Sequence, residues 1–545
     1  MPALSWQQPV LGQLDCDWAA QRLWHKTAGA GAWVPDQTDT IQYSYATTSD
    51  KFWEGWEYWR IPRGLPVFFH RCAVTHDLLD LIVELRLSST SAGLAENIKQ
   101  LHLLEYHQVI LNFLEDYKRH SVCGFTDVTL DSFSTFNDPN GWNGSMISGD
   151  SITTILLENS TRTCRDESTN YLKTLTTVSI SVDTTFESTK KAVVTNRSLV
   201  RTNPSGGGLF SGINEFDEIL FWKLSQTMSN AEIIEALDGL KDRHVVLDKP
   251  LPEIATADNC CHVQNAIMSV FPQIHIVLDV YDFLMRYISH GINDLDLLTS
   301  WDVFARSLHR YAVTIVNGKH NIWYWIVIED IQEAILLKKA DQDSKAIYRT
   351  KEDQEVRLEA AYRAWDQHGG MWAAAAPRVH EAQMNHVWKG CLACHRQDIA
   401  TDGSCIEGTH KGWNSIMRSH ACSLEVFLAL GHDFVLRRNV RVALARSPEP
   451  PEFIASAQGS HHLWLVDHIA KLWNSLLDIR QRSGHHVAGL IHLPCFPNVA
   501  ASSESFGVVR SFDAESYGGL LNMKEDDLEV DLMEMIDQSE VDIQS

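Results

Sequence analysis

From about Thr174 the pattern of hydrophobic and polar positions changes from helical to strand-like. Thr176 to Phe186 is β-branched and alternating. Lys191 to Asn196 and Leu209 to Glu215 read as a second strand or strand pair, with Gly206-Gly207-Gly208 as a hairpin turn between them. Asn214 to Asp217 reads as a turn and Ile219 to Leu224 as the next strand. Ser229-Asn-Ala-Glu232 has the spacing of a capping box and opens an apolar-periodic helix through Leu240. Pro252 to Ala257 is a short strand, a helix follows over His262 to Val270, and Ile274 to Val280 is another strand. The order β-β-β-α-β-α-β predicts an α/β fold with a mixed sheet, the order of a ribonuclease-H-like core.

The flanks have helical periodicity. Leu78, Leu79, Leu81, Ile82 and Leu85 fit one amphipathic helix. Ser88 to Ser91 interrupts the pattern and offers an N-cap to a longer helix carrying Leu94, Ile98, Leu101, Leu104, Ile110 and Phe113. Such a pair is compatible with a helix-turn-helix DNA reader and with a plain α-hairpin. The aromatic run at 52–59 fits loop packing or base stacking. Seven segments follow: 1–120, an aromatic-rich and helical N-terminal region; 121–173, a linker and helix; 174–283, the first part of the core; 284–400, a large helical insertion; 401–446, completion of the core; 447–522, a C-terminal helical region; and 523–545, an acidic, disordered tail.

Composition narrows the class. At 44% hydrophobic and 21% charged, the chain reads as globular and soluble. Its longest tempting apolar run, Ile322 to Ile328, is far short of the roughly 18 residues a membrane span needs. No export signal is evident, so the 11 cysteines read as reduced thiols rather than a disulfide framework. The net charge of −24 opposes nonspecific nucleic-acid binding over the whole surface. The charge is uneven, however. Met523 to Ser545 holds nine acids and one lysine, whereas His410 to Arg446 holds six Lys/Arg and two acids. That basic strip could bind a polyanion or be a solvated helix face.

The candidate chemistry rests on three acids. Asp183 and Asp258 end apolar, strand-like runs, and Glu407 opens a helix-like run. Mg²⁺ and Mn²⁺ prefer carboxylate oxygen, and two such ions about 4 Å apart activate an attacking oxygen and stabilise a leaving one. The 75 residues from Asp183 to Asp258 suit β-β-β-α-β, and the 149 from Asp258 to Glu407 require the insertion. By spacing alone, scattered surface acids are the more economical reading. No Gly-x-Ser-x-Gly elbow and no Walker phosphate loop occurs.

Ser-Val-Asp-Thr-Thr-Phe-Glu-Ser-Thr-Lys-Lys-Ala at 181–192 resembles the first-acid motif of DDE transposase-like proteins abundant in mushroom-forming (basidiomycete) fungi. Ala-Asp-Asn-Cys-Cys at 257–261 resembles their second-acid motif, and His275 to Phe283 the strand and helix after it. Asp-Gly-Ser-Cys-Ile-Glu-Gly-Thr-His-Lys-Gly-Trp-Asn-Ser at 402–415 resembles the third-acid motif and is the most specific part; His432 to Asn439 extends the likeness over about residues 50–520. The resemblance implies a ribonuclease-H-like fold, metal-dependent DNA cleavage and strand transfer, a nuclear location and element-end and target DNA as partners, with a homo-oligomer allowed. It implies that Asp183 ligates both metals, Asp258 one and Glu407 the other. Lys411 and Trp413 would contact DNA backbone or a flipped base, or else be helix-surface charge and core packing; Arg437 and Arg438 are further DNA-contact candidates.

One position departs from the family pattern. Asp-Val-Trp-His is expected after the second acid, and Asp279-Val280-Tyr281-Asp282 stands there. An extra carboxylate near phosphate is repulsive unless a cation intervenes, which points to a decayed or domesticated copy, or to a non-catalytic DNA- or protein-binding relic. Cysteine spacing offers a rival, a zinc-stabilised interaction protein. Cys391, Cys394, His395, Cys405 and His410 fall within twenty residues and could supply four ligands, though the second ligand set is ragged and reduced, unliganded thiols are the simpler reading. Cys391-Leu-Ala-Cys394-His395 also matches a c-type haem attachment site without the export that chemistry needs. Cys260-Cys261-His262 reads as packing beside Asp258.

Overall fold

The computed structural model describes residues 24–26, 33–35, 65–69, 72–123, 133–195, 201–290, 323–339, 346–368, 372–396, 404–416, 422–446, 449–484 and 489–509, apart from the single positions 139, 143, 145, 204, 259 and 395. The aromatic run at 52–59, His395 and the tail at 523–545 lie outside them.

A six-stranded mixed sheet forms the centre. Its strands are β1 (Ser179–Thr185), β2 (Gly208–Ile213), β3 (Ile219–Ser225), β4 (Ile254–Ala257), β5 (His275–Leu278) and β6 (Gly507–Val508). They lie in the order β5-β4-β1-β2-β3-β6. β1, β2 and β3 are antiparallel neighbours, β4 is parallel to both β1 and β5, and β6 is parallel to β3. The five expected strands are present with ends shifted by a residue or more, but Ala192–Thr195, read with Leu209–Glu215 as a second strand or strand pair, instead pairs with Arg201–Thr202 and Cys422–Ser423 in a separate three-stranded sheet. β6 was not expected: residues 447–522 read as helical, and a two-residue strand carries too little pattern to see.

The N-terminal helices are α1 (His76–Leu85), α2 (Ser91–Val122), α3 (Gly149–Asn159) and α4 (Arg165–Leu172). The break between α1 and α2 falls where Ser88 to Ser91 predicts it, and Thr90 caps α2 by accepting from Gly93 N at 3.0 Å. α5 (Asn230–Val246) starts with the predicted capping box of Ser229 and Glu232. α6 (Cys260–Val270) and α7 (Val280–His290) complete the first part of the core.

The insertion supplies α8 (Trp323–Ile335), α9 (Lys351–His368) and α10 (Ala376–Lys389). One detail corrects the sequence reading. Ile331 to Lys339 is not helical throughout: Leu336–Lys338 turns into a strand paired with Ile347–Tyr348. The chain returns to the sheet with α11 (Ser404–Ser415) and α12 (Leu424–Leu444), and α13 (Leu463–Arg482) follows. Among the described residues, no helix is long and apolar enough to cross a membrane.

Strand alternation divides the core into layers. Ile180, Val182, Phe210, Leu220 and Ala255 pack with Ile233, Leu237 and Leu240 of α5 and Ile267 and Val270 of α6. Leu209, Ile213, Trp222 and Leu224 project to the opposite face, onto Ile406 and Trp413 of α11 and Phe427, Leu430 and Phe434 of α12. The insertion has its own core, with Phe283 and Tyr287 of α7 against Ile331, Leu358, Met384 and Val387, and it is continuous with β5 through Val277 and Leu278.

Candidate metal centre

The sheet places the first two acids. Ile180 and Val182 face α5 and α6, so Asp183 at the next position of β1 faces α11. β4 runs parallel to β1 with Ala257 opposite Val182. Asp258, the first residue past β4, therefore leaves the sheet beside Asp183.

Glu407 lies in the first turn of α11, and His410 follows three residues later on the same helix face. The helix is seated by its apolar side. Trp413 is 1% exposed, with its ring 5.1 Å from that of Trp222 and 4.8 Å from that of Phe434. The fit depends on Gly412, because a Cβ there would stand 2.7 Å from the Phe434 ring. Packing on one side of α11 thus aims the carboxylate and imidazole on the other side at β1.

His410 Nδ1 lies 3.5 Å from Asp183 Oδ2 and 3.6 Å from Glu407 Oε2. One ligand atom from each of the three residues falls within 4.8 Å of the others. His410 Nε2 is buried and has no hydrogen-bond partner. The Asp183 side chain is 12% exposed and its Oδ1 accepts from Thr184 N at 2.6 Å.

Crowding of carboxylates sets the electrostatics. Burial pushes the Asp183 carboxyl well above the usual range, and the charges of Asp282, Asp258 and Glu407 push it further. Burial also raises Asp258, opposed by Arg286 and reinforced by Glu407. Asp282 is pushed up to about 7, first by burial and then by Asp258 and Glu407, with Arg286 opposing. Arg286 sits 3.7 Å from Asp258 Oδ1 and donates to the Asp258 carbonyl at 2.9 Å.

Four carboxylates in one field need protons or cations. Their all-oxygen donor set, with a neighbouring imidazole, suits a hard divalent ion such as Mg²⁺ or Mn²⁺. The buried, unpartnered Nε2 of His410 is consistent with a site whose polar groups are completed by something other than the chain.

Asp183 and Glu407 thus meet at His410, and Asp258 shares their field. Lys411 is exposed on α11, one residue past His410. Trp413 is correctly read only as core packing, because its indole is enclosed by Trp222 and Phe434 and no base can reach it.

Arg437 and Arg438, the other DNA-contact candidates, both have guanidinium groups engaged by the protein. Arg437 donates to Asp433 Oδ1 at 2.6 Å, Glu84 Oε2 at 2.8 Å and the Val83 carbonyl at 3.0 Å, tying α12 to α1. Arg438 donates to Thr409 Oγ1 at 2.8 Å and to the Asp217 carbonyl. The zinc grouping is corrected too: Cys391 stands with Cys260, Cys261 and His386, and His410 belongs to the acid cluster.

Sequence reasoning missed His410 and Arg286 as members of the acid site and treated Asp282 only as a departure. The i, i+3 spacing of Glu407 and His410 was a usable signal for the first. Nothing local marked Arg286, which reaches Asp258 from α7, 28 residues further along the chain.

No family model matches this chain, and no curated protein matches it.

Proposed function

We propose that this chain is a transposase-like protein of ribonuclease-H-like fold that cleaves and joins DNA at the Asp183–Asp258–Glu407 site. The observation that carries the reading is the convergence of acids from a central strand, the adjacent parallel strand and a helix returning after a long insertion. Three antiparallel strands followed by two parallel ones, with the second acid just past the fourth, support the ribonuclease-H-like assignment. The motif likeness around the three acids supports DNA element ends and target DNA as substrates, and a nuclear place of work.

Asp183, Asp258 and Glu407 would hold two Mg²⁺ or Mn²⁺ ions, with His410 beside them. Bound there, the ions supply activation of the attacking oxygen and charge neutralisation at the leaving one. The chain's own residues do the rest. β1 and β4 hold two carboxylates at adjacent strand positions, α11 sets the third against them, and Arg286 restrains Asp258. Exposed Lys411 lies where a DNA phosphate approaching Glu407 would pass.

The test is cleavage of a supercoiled plasmid carrying the element ends, with Mn²⁺ or Mg²⁺. Wild type is expected to nick it, and Asp183→Asn, Asp258→Ala and Glu407→Gln to lose at least a hundredfold in rate. Identical, metal-independent backgrounds for wild type and Asp258→Ala would remove the enzyme.

Asp282 favours a second reading, a DNA-binding relic of the same fold, because an added carboxylate in this field opposes phosphate. That reading predicts DNA retention without cleavage, unaffected by Asp183→Ala. Asp282→His discriminates, since it should raise cleavage if the acid alone is the obstacle.

A further inference from the structure

Outside the acid cluster, three thiols and an imidazole converge from segments 125 residues apart. Cys260 Sγ lies 3.8 Å from Cys261 Sγ and 3.7 Å from His386 Nδ1. Cys261 Sγ lies 3.7 Å from His386 Nδ1 and 3.9 Å from Cys391 Sγ. All four ligand atoms fall within 4.8 Å of one another. A tetrahedral zinc ion with Zn–S of about 2.3 Å and Zn–N of about 2.05 Å has S–S edges of about 3.8 Å and S–N edges of about 3.5 Å. The observed edges match that polyhedron, and sulfurs 3.8–3.9 Å apart are far outside the roughly 2.05 Å of a disulfide.

Local structure explains how the ligands are presented. Cys260 and Cys261 form the first turn of α6, immediately after the Asp258 corner. His386 is in the last turn of α10, which ends at Gly390 with a φ of 78°. That left-handed residue, cheap for glycine, folds the chain back so that Cys391 N donates to the His386 carbonyl at 2.9 Å. The segment then docks along β5, where Leu278 N donates to the Cys391 carbonyl at 2.7 Å, while Gln354 Nε2 donates to the Leu392 carbonyl at 2.8 Å.

We infer that Cys260, Cys261, His386 and Cys391 form a structural zinc site that clamps the helical insertion to the core. Four protein ligands close the coordination shell, the mark of a structural rather than a catalytic zinc. The site also touches the acid centre. Arg286 Nη1 lies 3.2 Å from His386 Nε2, and the same guanidinium holds Asp258. Zinc on Nδ1 leaves the ring proton on Nε2, so Arg286 can no longer donate to it and keeps only its Asp258 contacts. Metal loading therefore directs this guanidinium toward the second acid.

The test is metal analysis of the purified full-length chain, grown with added zinc, together with cobalt exchange. Wild type is expected to hold about one equivalent of tightly bound zinc. Cys261→Ser and Cys391→Ser should fall below a tenth of that, while Cys394→Ser and Asp183→Asn keep it. Co²⁺-loaded wild type should show thiolate-to-cobalt charge transfer in the near ultraviolet and the intense visible bands of a tetrahedral centre.

The cobalt spectrum needs no variant to fold, so it stands even if the cysteine variants are unstable. Wild type with neither zinc nor the cobalt bands would overturn the site. So would zinc that survives Cys391→Ser but is lost in Asp183→Asn, which would place the metal among the acids. Because Asp183→Asn abolishes the proposed cleavage and leaves this zinc in place, the two proposals fail separately.

Discussion

At the residue scale, the acid centre is a set of buried charges held against their own repulsion. Asp183, Asp258 and Asp282 all have carboxyl groups raised above their ordinary range, Asp282 to about 7. A carboxyl whose pKa is higher folded than unfolded stabilises the fold while it is protonated. That contribution is complete below the unfolded pKa near 4 and is lost as pH rises through the folded value. The cation-free protein should therefore lose thermal stability between about pH 5 and pH 8. Mn²⁺ should restore it, with a larger gain in Tm at pH 8 than at pH 5. Asp282→Asn should flatten the cation-free profile and raise Tm at pH 8 by a few degrees, read by differential scanning fluorimetry. A Tm independent of pH over this window would mean the acids are better solvated than their burial implies. The positions of these residues were legible in the chain, and their mutual effect was not. Asp282 is 99 residues from Asp183, and only the approach of α7 to β1 puts the two in one field.

At the element scale, buried polar groups decide how helices seat on the sheet. Arg243 of α5 and Glu504, just before β6, are both essentially enclosed. Arg243 Nε and Nη2 donate to the two Glu504 oxygens at 3.0 and 2.6 Å, and its remaining donors reach the Leu175 and Leu220 carbonyls at 3.0 Å. Glu504→Ala strands a buried guanidinium and should cost about 3–5 kcal/mol, measured by urea unfolding. Replacing both partners with apolar residues of similar volume should cost less. Asn439 of α12 plays the same part on the other face. It accepts from Ile219 N and donates to the Ile219 carbonyl, both at 2.8 Å, at the register shift between β2 and β3. Asn439→Leu should cost about 1–3 kcal/mol by leaving that buried peptide unpaired. Capping and alternation announced α1, α2, α5 and β1 to β5, since those signals are local. β6 and the strand at Leu336–Lys338 exist because a neighbour completes their hydrogen bonds, and a stretch of two or three residues cannot advertise that.

At the scale of the whole molecule, an acidic chain presents a small basic opportunity beside its acid centre. With Trp413 packed in the core and Arg437 and Arg438 engaged by internal ion pairs and hydrogen bonds, Lys411 is the exposed member of the proposed DNA-contact set. Lys411→Ala should weaken DNA binding without regard to sequence and lower the slope of log K against log salt by about 1, measured by fluorescence anisotropy. An unchanged slope would move the DNA path elsewhere. The fold as a whole is a sheet with helices on both faces, interrupted by an insertion whose own core grows from β5 and α7. The chain by itself determined β1 to β5, most of the helices, their capped boundaries and the positions of the three acids, because period, caps and short motifs are written within a few neighbouring residues. Tertiary structure alone decided that α11 brings His410 as well as Glu407 to Asp183, that Asp282 joins them, and that Cys391 pairs with Cys260 and Cys261 rather than with Cys394 and Cys405. Those are contacts between segments about a hundred residues or more apart in sequence, or choices among neighbours on one helix or turn. Burial and direction make such choices, and spacing along the chain carries neither.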